Sequence, residues 1–318
     1  MSELTDELVG QYERLTVDAG FVRLPDRLLV SMEGADRHRF LHSFCTADIL
    51  ALKSGHATEA FVLNEKGKVL SHLHVLATDE ALLLSAATRT APALIQHLDK
   101  YLIREDVQLR DVSEKVAQWF VCGPQAEPRL FDSASCMPGA GQVVQRSVAG
   151  VALTIASLEI AGPGYWIAFD TAQQAILADW LRTRQIDECV LEALQRVRVD
   201  WGTPWFGTDI LDSNLPQEIL RDSQAISFNK GCYLGQETVA RIDALGHVNQ
   251  KLVKVIVQSQ AGPVEGTELL SVDKSVGRLT SVSRIPAAEG WVALAMVRSK
   301  HAQPGTELQL AGGVATVL

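Results

Sequence analysis

The sequence predicts an α+β protein whose C-terminal part is a separate β-domain. Two observations indicate this fold class. Up to residue 246, stretches with apolar residues at helical spacing are interspersed with strand-like stretches. From about residue 250, short apolar segments follow one another between turn residues, which is typical of a small β-barrel or β-sandwich. A chain of 318 residues suits about two domains, and we predict them over residues 1–246 and 247–318.

The first part of the chain mixes helices and strands. Gly34 is expected to close an early strand, and Asp36 is expected to cap the helix that follows. Strand-like patterns on both sides of Asn64–Gly67 predict a β-hairpin. The elements expected here are a helix over 1–15, a strand over 27–33, a helix over 37–44, a hairpin over 57–78 and a helix over 91–103.

The middle of the chain is rich in strands and then becomes helical. Strands are expected over 116–123, 147–157 and 164–170, followed by helices over 171–184 and 187–201. Asp187 is the expected N-cap of the second helix. Residues 202–229 predict a long irregular segment, and such segments are usually functional or disordered. Strands of the β-domain are expected over 251–258, 267–272, 277–285, 291–297 and 306–310.

Composition and charge exclude several classes of protein. No apolar run reaches the ~18 residues of a membrane-spanning helix. The net charge of −9 argues against generic binding of nucleic acid, which depends on phosphate contacts. The N-terminus lacks the pattern of a signal or transit peptide, so we expect a cytoplasmic location. The cysteines form no CxxC pair and are expected to be reduced thiols: Cys45, Cys122, Cys136, Cys189 and Cys232.

The stretch KGCYLGQETVAR, residues 230–241, places one cysteine on a glycine-flanked turn. A free thiol has a pKa of about 8.5, and a neighbouring cation or helix N-terminus favours its thiolate. Lys230 precedes Cys232, and residues 235–240 are expected to begin a helix, so Cys232 is a candidate reactive thiol. The alternative is a small buried residue in a glycine turn, which is how free cysteines usually behave.

His72 and His74 lie two residues apart in a predicted strand and therefore on one face. Two histidines placed in this way can supply two ligands to a metal ion. No third ligand accompanies them in the sequence, so the pattern favours core or solvated histidines and predicts no metal site.

Asp200 lies where an arginine-rich helix gives way to the irregular segment. Its carboxylate suits two parallel hydrogen bonds to the amidine-like edge of a heterocycle, beside the aromatic residues between 201 and 206. The alternative pairs Asp200 with Arg196 or Arg198 and sends the aromatic side chains to the core. Spacing alone favours this alternative.

Together these segments resemble one protein family. The stretch ISFNKGCYLGQETVAR resembles the signature K-G-C-Y-x-G-Q-E of the YgfZ-type folate-binding proteins, which are relatives of the glycine-cleavage T-protein, an aminomethyltransferase. Other segments are similar to the same family: MEGADRHRFLHSFCTADI, FVLNEKGKVLSHLHV, RVRVDWGTPWFGTDI with the following NLPQE, and GRLTS. The resemblance covers nearly the whole chain.

The resemblance implies a ring of two α+β lobes and a C-terminal β-barrel around a central folate pocket. The T-protein carries a pterin-binding glutamate in its central loop, and Asp200 occupies the matching position here. Cys232 is then expected at the rim of the pocket, with tetrahydrofolate or a one-carbon derivative as the cofactor. The cofactor-binding residues implied by the resemblance are Asp200, Trp201, Lys230, Tyr233, Gln236 and Arg241.

The T-protein also has two aspartates in its hairpin, one of which is needed for aminomethyl transfer. Ser71 and His72 occupy the matching positions here, so no carboxylate stands there. The resemblance therefore implies a folate-binding protein that supports iron–sulfur enzymes, including tRNA-modifying ones, with iron–sulfur client or assembly proteins as partners. Two alternatives stay open: a tetrahydrofolate-dependent aminomethyl or methyl transferase that uses His72 as its catalytic group, and an interaction scaffold without a ligand.

Overall fold

Two sheets and a closed barrel carry the fold. The computed structural model describes residues 3–86, 91–131 and 137–318. The helices are α1 (Glu3–Val17), α2 (Arg37–His42), α3 (Ala91–Asp99), α4 (Ala126–Leu130), α5 (Gln174–Thr183), α6 (Leu191–Trp201), α7 (Asp222–Ala225) and α8 (Gln236–Leu245). The strands are β1 (Gly20–Arg23), β2 (Leu28–Glu33), β3 (His56–Leu63), β4 (Val69–Ala77), β5 (Leu82–Ala86), β6 (Gln108–Asp111), β7 (Val116–Cys122), β8 (Val143–Val148), β9 (Val151–Glu159), β10 (Pro163–Asp170), β11 (Asp187–Glu188), β12 (Gln250–Ser259), β13 (Glu268–Ser271), β14 (Lys274–Val282), β15 (Trp291–Arg298), β16 (Glu307–Leu310) and β17 (Gly313–Val317). The predicted α+β class with a C-terminal barrel is confirmed.

The first sheet contains the predicted hairpin. Its strand order is β3-β4-β5-β2-β6, and all of its pairs are antiparallel. Glu59 lies opposite His74, and Phe61 lies opposite His72. Because opposed residues and residues two apart share a face of a sheet, these four side chains project from the same side of the hairpin.

The second sheet has the strand order β11-β1-β7-β10-β9-β8, in which the β1–β11 pair is parallel and the others are antiparallel. Leu29 and Leu76 of the first sheet join Phe120 and Trp166 of the second in one buried cluster. The two sheets therefore pack against each other, and the cluster fixes the hairpin relative to β9 and β10.

Two predictions for the second sheet were wrong. Residues 147–157 do not form one strand, because the chain turns at Ala149 and Gly150, whose φ angles are 49° and 80°. Asp187 does not cap α6: it pairs with Gly20 as part of β11, and the Cys189 N–H donates to the carbonyl of Phe21. The helix therefore begins only at Leu191.

Two differences concern helix ends. Asp36 precedes α2 as predicted, but its carboxylate makes no bond to that helix and instead accepts a hydrogen bond from the backbone N–H of Asp106. The predicted helix over 91–103 ends at Asp99. Tyr101 and Leu102 still pack against the same core cluster, so the apolar pattern reflects burial beyond the helix.

Six strands close the C-terminal barrel in the order β12-β15-β14-β13-β16-β17. The sequence predicted five of them and missed β17, a short run of small residues that pairs with β12 and β16. The segment over 202–229 is irregular, as predicted, except for a 3₁₀ turn over Pro216–Ile219 and the short α7. The domain boundary at residue 246 stays a prediction. Across the described ranges, no helix has the length and apolar character needed to cross a membrane.

Candidate functional site

A narrow cleft of about 10 Å³, enough for about one water molecule, lies between the β3–β4 hairpin and the loop that follows α6. The register of the hairpin brings His72 and His74 to it, and the end of β9 and the first residues of the irregular segment close the other side. The lining residues are Arg27, His72, His74, Glu159, Ile160, Thr203, Pro204 and Trp205. Two of the predicted candidates, His72 and its neighbour His74, thus line one cleft.

A buried carboxylate supports His72. Glu59 Oε1 lies 2.7 Å from His72 Nε2 and accepts a second bond of 2.7 Å from Arg221 Nε. Arg221 Nη2 donates to Glu59 Oε2, so the guanidinium and the carboxylate form a two-point pair. Arg221 Nη2 also donates to Glu159 Oε2 at 3.2 Å. Burial opposes ionisation of Glu59, but His72 and Arg221 outweigh it and hold the pKa of Glu59 well below its usual range. The carboxylate is therefore charged and already paired.

His74 has no such support. Its ring is buried, and Nδ1 has no hydrogen-bond partner among the described residues. Burial lowers the pKa of His74 to about 3, and the nearby Glu59 opposes that shift only in part. The imidazole is therefore neutral near neutral pH and has one donor and one acceptor nitrogen. The neighbouring Ser71 hydroxyl is buried and also lacks a partner among these residues.

Asp200 forms the contact that the alternative interpretation predicts. Its Oδ2 accepts hydrogen bonds of 2.8 Å from both Arg196 Nε and Tyr12 Oη. The side chain is about one-quarter exposed, and no described residue bonds to Oδ1. Two parallel bonds to a heterocycle would require both oxygens, so the structure leaves Asp200 only one oxygen for a ligand.

The aromatic residues after Asp200 divide between surface and core. Trp201 is 61% exposed, and its indole lies against Gly162, where a Cβ would come within 2.4 Å of the ring. Trp205 faces the cleft and donates through Nε1 to the carbonyl of Ile160 at 3.0 Å. Phe206 is buried in the core beneath the barrel. Trp201 and Trp205 are thus the two aromatic side chains that remain available to a ligand.

The ammonium group of Lys230 is buried against backbone carbonyls. Its Nζ donates to the carbonyls of His42, Cys45 and Ala47 at 2.5, 2.7 and 2.8 Å. An ammonium group has three donors, so these carbonyls use all of them. Lys230 therefore joins the motif to the chain that follows α2, and its predicted effect on Cys232 stays a prediction.

The turn that carries Cys232 rests on the tip of the hairpin. Gly235 has a φ of 83° and precedes α8, as the sequence predicted for a helix start. A Cβ at Gly235 would lie 2.7 Å from the Asn64 carbonyl oxygen, and one at Gly67 would lie 2.7 Å from the Thr238 Cβ. Cys232 itself is exposed. His72 lies three residues into β4, or about 10 Å along the strand, so the placement of Cys232 at the cleft rim stays a prediction.

The other motif residues have mainly structural contacts. Tyr233 is buried, which raises its pKa to about 12, and its ring lies 4.8 Å from Lys230 Nζ. Gln236 accepts a bond from the Tyr233 N–H through Oε1. Arg241 is exposed on α8. None of these contacts tests their predicted role in cofactor binding.

Sequence reasoning missed Glu59, Arg221 and Arg27. Glu59 carried a usable signal, because it is an acidic residue within an apolar strand and its partner position holds a histidine. Arg221 lies in the irregular segment, where no periodicity indicates the direction of a side chain. The cysteine predictions hold for the described residues: Cys45, Cys122, Cys189 and Cys232 are free thiols, while Cys136 lies outside the described ranges.

Two parts of the chain match known domain families. Residues 28–222, more than half of the chain, match the GCVT N-terminal domain. Residues 250–313 match the glycine cleavage T-protein C-terminal barrel domain.

Several known proteins are similar along most of the chain. A putative chloroplastic transferase of Arabidopsis thaliana is 24% identical over 298 residues, which cover 91% of this chain and 67% of that protein. The tRNA-modifying protein YgfZ of Yersinia enterocolitica is 28% identical over 250 residues, covering 78% and 74%. The mitochondrial iron–sulfur cluster assembly factor IBA57 homolog of Aspergillus fumigatus is 26% identical over 307 residues, covering 86% and 65%.

A solved structure has the same fold. The glycine cleavage system aminomethyltransferase T from Bartonella henselae superposes with a TM-score of 0.87 at 20% sequence identity. The superposition covers 98% of this chain and 88% of that one. At this identity the likeness shows a shared fold and does not extend to a shared activity.

Proposed function

This chain belongs to the family of the glycine cleavage T-protein, and we propose that it binds a reduced folate and supports iron–sulfur enzymes, including enzymes that modify tRNA. In this proposal it does not transfer an aminomethyl group. Its partners are iron–sulfur client or assembly proteins, and Cys232 is the group that meets them.

The pairing of Glu59 with Arg221 is the main support for the proposal that no aminomethyl group is transferred. Ser71 and His72 stand where the resemblance places the transferase's aspartates, and the nearest buried carboxylate is Glu59. Arg221 binds that carboxylate at two points, so its negative charge is compensated within the protein. A compensated carboxylate stabilises a developing cation poorly, because the attraction is already satisfied by the guanidinium. The hairpin therefore lacks the electrostatics that aminomethyl transfer needs.

The names of two relatives support the proposed role in iron–sulfur metabolism and tRNA modification. One is named as a tRNA-modifying protein and another as an iron–sulfur cluster assembly factor. The motif KGCYLGQE, which includes the proposed reactive thiol, is exposed at Cys232 in this fold. An exposed thiol on a rigid glycine turn is accessible to a partner protein, whereas the other described cysteines are buried.

Two residues at the C-terminal end of α6, which are not part of the cleft lining, fit a reduced folate in part. The exposed indole of Trp201 offers a stacking surface, and the free Oδ1 of Asp200 offers an acceptor for the pterin ring. The cleft, at about 10 Å³, has room for about one water molecule and is far smaller than the ~300 Å³ or more of typical small-molecule pockets. The cofactor would therefore bind outside it. A bound folate would supply a carrier for one-carbon units, and this chain's residues would bind and orient it.

A titration tests the folate site. We expect tetrahydrofolate and its 5-formyl form to bind the wild-type chain with micromolar affinity in calorimetry. Asp200→Ala should weaken binding about ten-fold or more, because it removes a charge-assisted acceptor. Asp187→Ala, at a partly exposed carboxylate in β11, is the matched control and should bind as the wild type does. Absence of binding by the wild type would refute the folate part of the proposal.

Complementation tests the role in iron–sulfur metabolism. In a bacterial strain that lacks its YgfZ protein, the wild-type chain should restore the activity of iron–sulfur enzymes that modify tRNA. Cys232→Ala should restore little of it, whereas Cys189→Ala, at a buried thiol, should restore most. Full activity with Cys232→Ala would remove the thiol from the mechanism.

A transferase is the second candidate, and one contact favours it. The 2.7 Å contact between Glu59 and His72 Nε2 orients the imidazole and leaves Nδ1 as its other nitrogen. Such a carboxylate–histidine pair is a common arrangement for a general base. The test is formation of methylene-tetrahydrofolate from a methylamine-type donor. If the wild type forms it and His72→Phe does not, the chain is a transferase and the non-catalytic proposal is wrong.

A further inference from the structure

A second cavity lies between the start of α7 and the end of α8. It has a volume of about 230 Å³, opens to solvent and shares no lining residue with the cleft. We call it the Asp222 pocket. Part of its wall is polar and part is apolar, and the residues that matter here are Gln217, Asp222 and Asp243 on the polar side and Leu220, Ile242 and Val248 on the apolar side.

Two buried oxygen atoms of the polar side chains lack a hydrogen-bond donor. Gln217 is only 6% exposed, and its Nε2 donates to the Val239 carbonyl at 2.7 Å. Its Oε1 is buried and has no partner among the described residues. Asp222 Oδ1 is buried too, and nothing in the described ranges donates to it. Because buried acceptors in native proteins are normally hydrogen-bonded, two such atoms on one cavity wall indicate a donor from outside this part of the chain.

The charge around the pocket is unbalanced in the same sense. Burial and then the neighbouring Asp243 raise the pKa of Asp222, and no cation offsets that rise. Lys251 and His247 also line the pocket, but neither forms an ion pair with the two carboxylates in the described structure. The carboxylates therefore repel each other, and a cation bound beside both would relieve that repulsion.

We propose that the Asp222 pocket binds a primary ammonium group carried on a short apolar chain. An ammonium group has three N–H donors and no acceptor, which matches the acceptors of Asp222, Asp243 and Gln217. The apolar side of the pocket, where Leu220 is 50% exposed, covers the methylene groups of the ligand, since hydrocarbon stems that carry a charge pack on apolar surface. The ammonium group has two possible sources: a free aliphatic diamine or a lysine side chain of a partner protein.

A divalent metal ion fits the pocket less well. Mg²⁺ and Ca²⁺ take at least about six oxygen ligands. Within the ranges that the structure describes, no three acidic, histidine or cysteine side chains are placed to hold a metal ion. A hydrated ion would also leave the apolar side of the pocket unused, whereas an organic cation uses both sides. The site goes beyond the proposed function and does not depend on it, because the pocket contains neither Asp200 nor Cys232.

Titrations of the full chain followed by NMR test the assignment. The reporter is the amide signal of Gly246, which lines the pocket. The probes are n-butylammonium, tetramethylammonium and Mg²⁺, all as chlorides at constant ionic strength. We expect a saturable shift with n-butylammonium and binding at least about ten-fold weaker with tetramethylammonium, which has the charge but no N–H donor. Absence of a saturable shift with n-butylammonium, or saturation by Mg²⁺ at a lower concentration, would overturn the proposal.

Two variants remove the charges one at a time. Asp222→Asn should weaken n-butylammonium binding about ten-fold or more, because it removes a charge-assisted acceptor. Asp243→Asn, at an exposed position on α8, should weaken it as well. Asp212→Asn, at an exposed aspartate outside the pocket, is the matched control and should bind as the wild type does.

Thermal unfolding without ligand separates a binding role from a structural one. Asp222→Asn removes the repulsion between the carboxylates, so it should unfold at the temperature of the wild type or slightly above it. A lower unfolding temperature together with unchanged affinity for n-butylammonium would show that Asp222 is structural, and the proposal would then be wrong.

Lys251→Met tests the chain's own ammonium group. Because Lys251 forms no ion pair with Asp222 or Asp243 in the described structure, the variant should bind n-butylammonium with nearly the wild-type affinity. Binding by Lys251→Met but not by the wild type would show that Lys251 fills the pocket in solution. That outcome would overturn the proposal of an external ligand.

Two further probes distinguish the sources of the ammonium group. Putrescine is a free diamine, and Nα-acetyl-lysine N-methylamide presents a lysine side chain. Tighter binding of putrescine would assign the pocket to a free diamine, and tighter binding of the lysine derivative would assign it to a partner protein. Both probes should lose affinity in Asp222→Asn. Because no folate is present in these titrations, their outcome does not depend on whether the chain binds folate.

Discussion

Single residues decide what the hairpin can do. The backbone that carries two aspartates in the T-protein, by the resemblance, carries Ser71 and His72 here, and the carboxylate instead comes from Glu59 on the neighbouring strand. Arg221 neutralises that carboxylate. Lys230, the cation two residues before the thiol, binds three backbone carbonyls. In both cases the residue type was evident in the sequence, but its electrostatic partner was not.

His74 makes stability depend on pH. Its pKa falls from 6.5 to about 3 on folding, so between these values the unfolded chain binds a proton that the native protein does not. The free energy of unfolding therefore falls as the pH drops through this window, by up to about 1.4 kcal/mol per pH unit. Denaturant unfolding between pH 5.0 and 7.5 measures the slope above the range in which Glu59 of the unfolded chain titrates.

The His74→Phe variant isolates this contribution. The slope of its unfolding free energy against pH should be smaller than that of the wild type. The difference corresponds to at most one bound proton. His56→Asn, at an exposed histidine at the start of β3, should keep the wild-type slope. Identical slopes in His74→Phe and the wild type would mean that His74 titrates alike in both states.

Elements were predicted well where one pattern determined them. The β3–β4 hairpin and α1 follow from periodicity and turn residues, and both are present. The error at Ala149–Gly150 was a missed tight turn between two antiparallel strands, β8 and β9. The error at Asp187 arose where a tertiary contact competed with a local signal, because strand pairing with Gly20 took the residue that would have capped α6. The short α2 and the Cys232 turn form a further unit, in which Lys230 joins two segments far apart in sequence.

Lys230→Met tests that unit. It should lower the free energy of unfolding by about 1–3 kcal/mol, because buried carbonyls lose their donor. The Leu234 N–H, which donates to the Ser43 carbonyl, should exchange faster with solvent. The pH profile of Cys232 alkylation should stay the same, since the ammonium is directed at carbonyls.

A lysine at the tip of the hairpin provides the comparison for this test. Lys66→Met, at an exposed residue, should leave both stability and exchange unchanged. A shifted alkylation profile in Lys230→Met without loss of stability would show instead that Lys230 acts directly on the thiol.

At the scale of the whole molecule, a buried polar cluster ties the α+β region to the barrel. Arg198 of α6 and Asp209 of the irregular segment are both 1% exposed and lie 2.6 Å apart. The carboxylate also accepts from the hydroxyls of Thr280 and Ser281 in β14, at 2.6 and 2.7 Å. These contacts fix the course of the irregular segment, although it has little regular secondary structure. They also hold the loop at Thr203–Trp205 beside the cleft.

The amino-acid sequence by itself determined the α+β class, the barrel, the hairpin and the motif around Cys232, because periodicity, turn residues and short motifs are local properties of a chain. Only the tertiary structure decided which charges meet. The pairing of Glu59 with Arg221 and of Asp200 with Tyr12 depends on side chains from different elements, whereas the Asp200–Arg196 pair lies within α6 and was predictable from spacing. Burial then makes those pairings strong, because a charge removed from water must find a partner inside the protein or in a ligand.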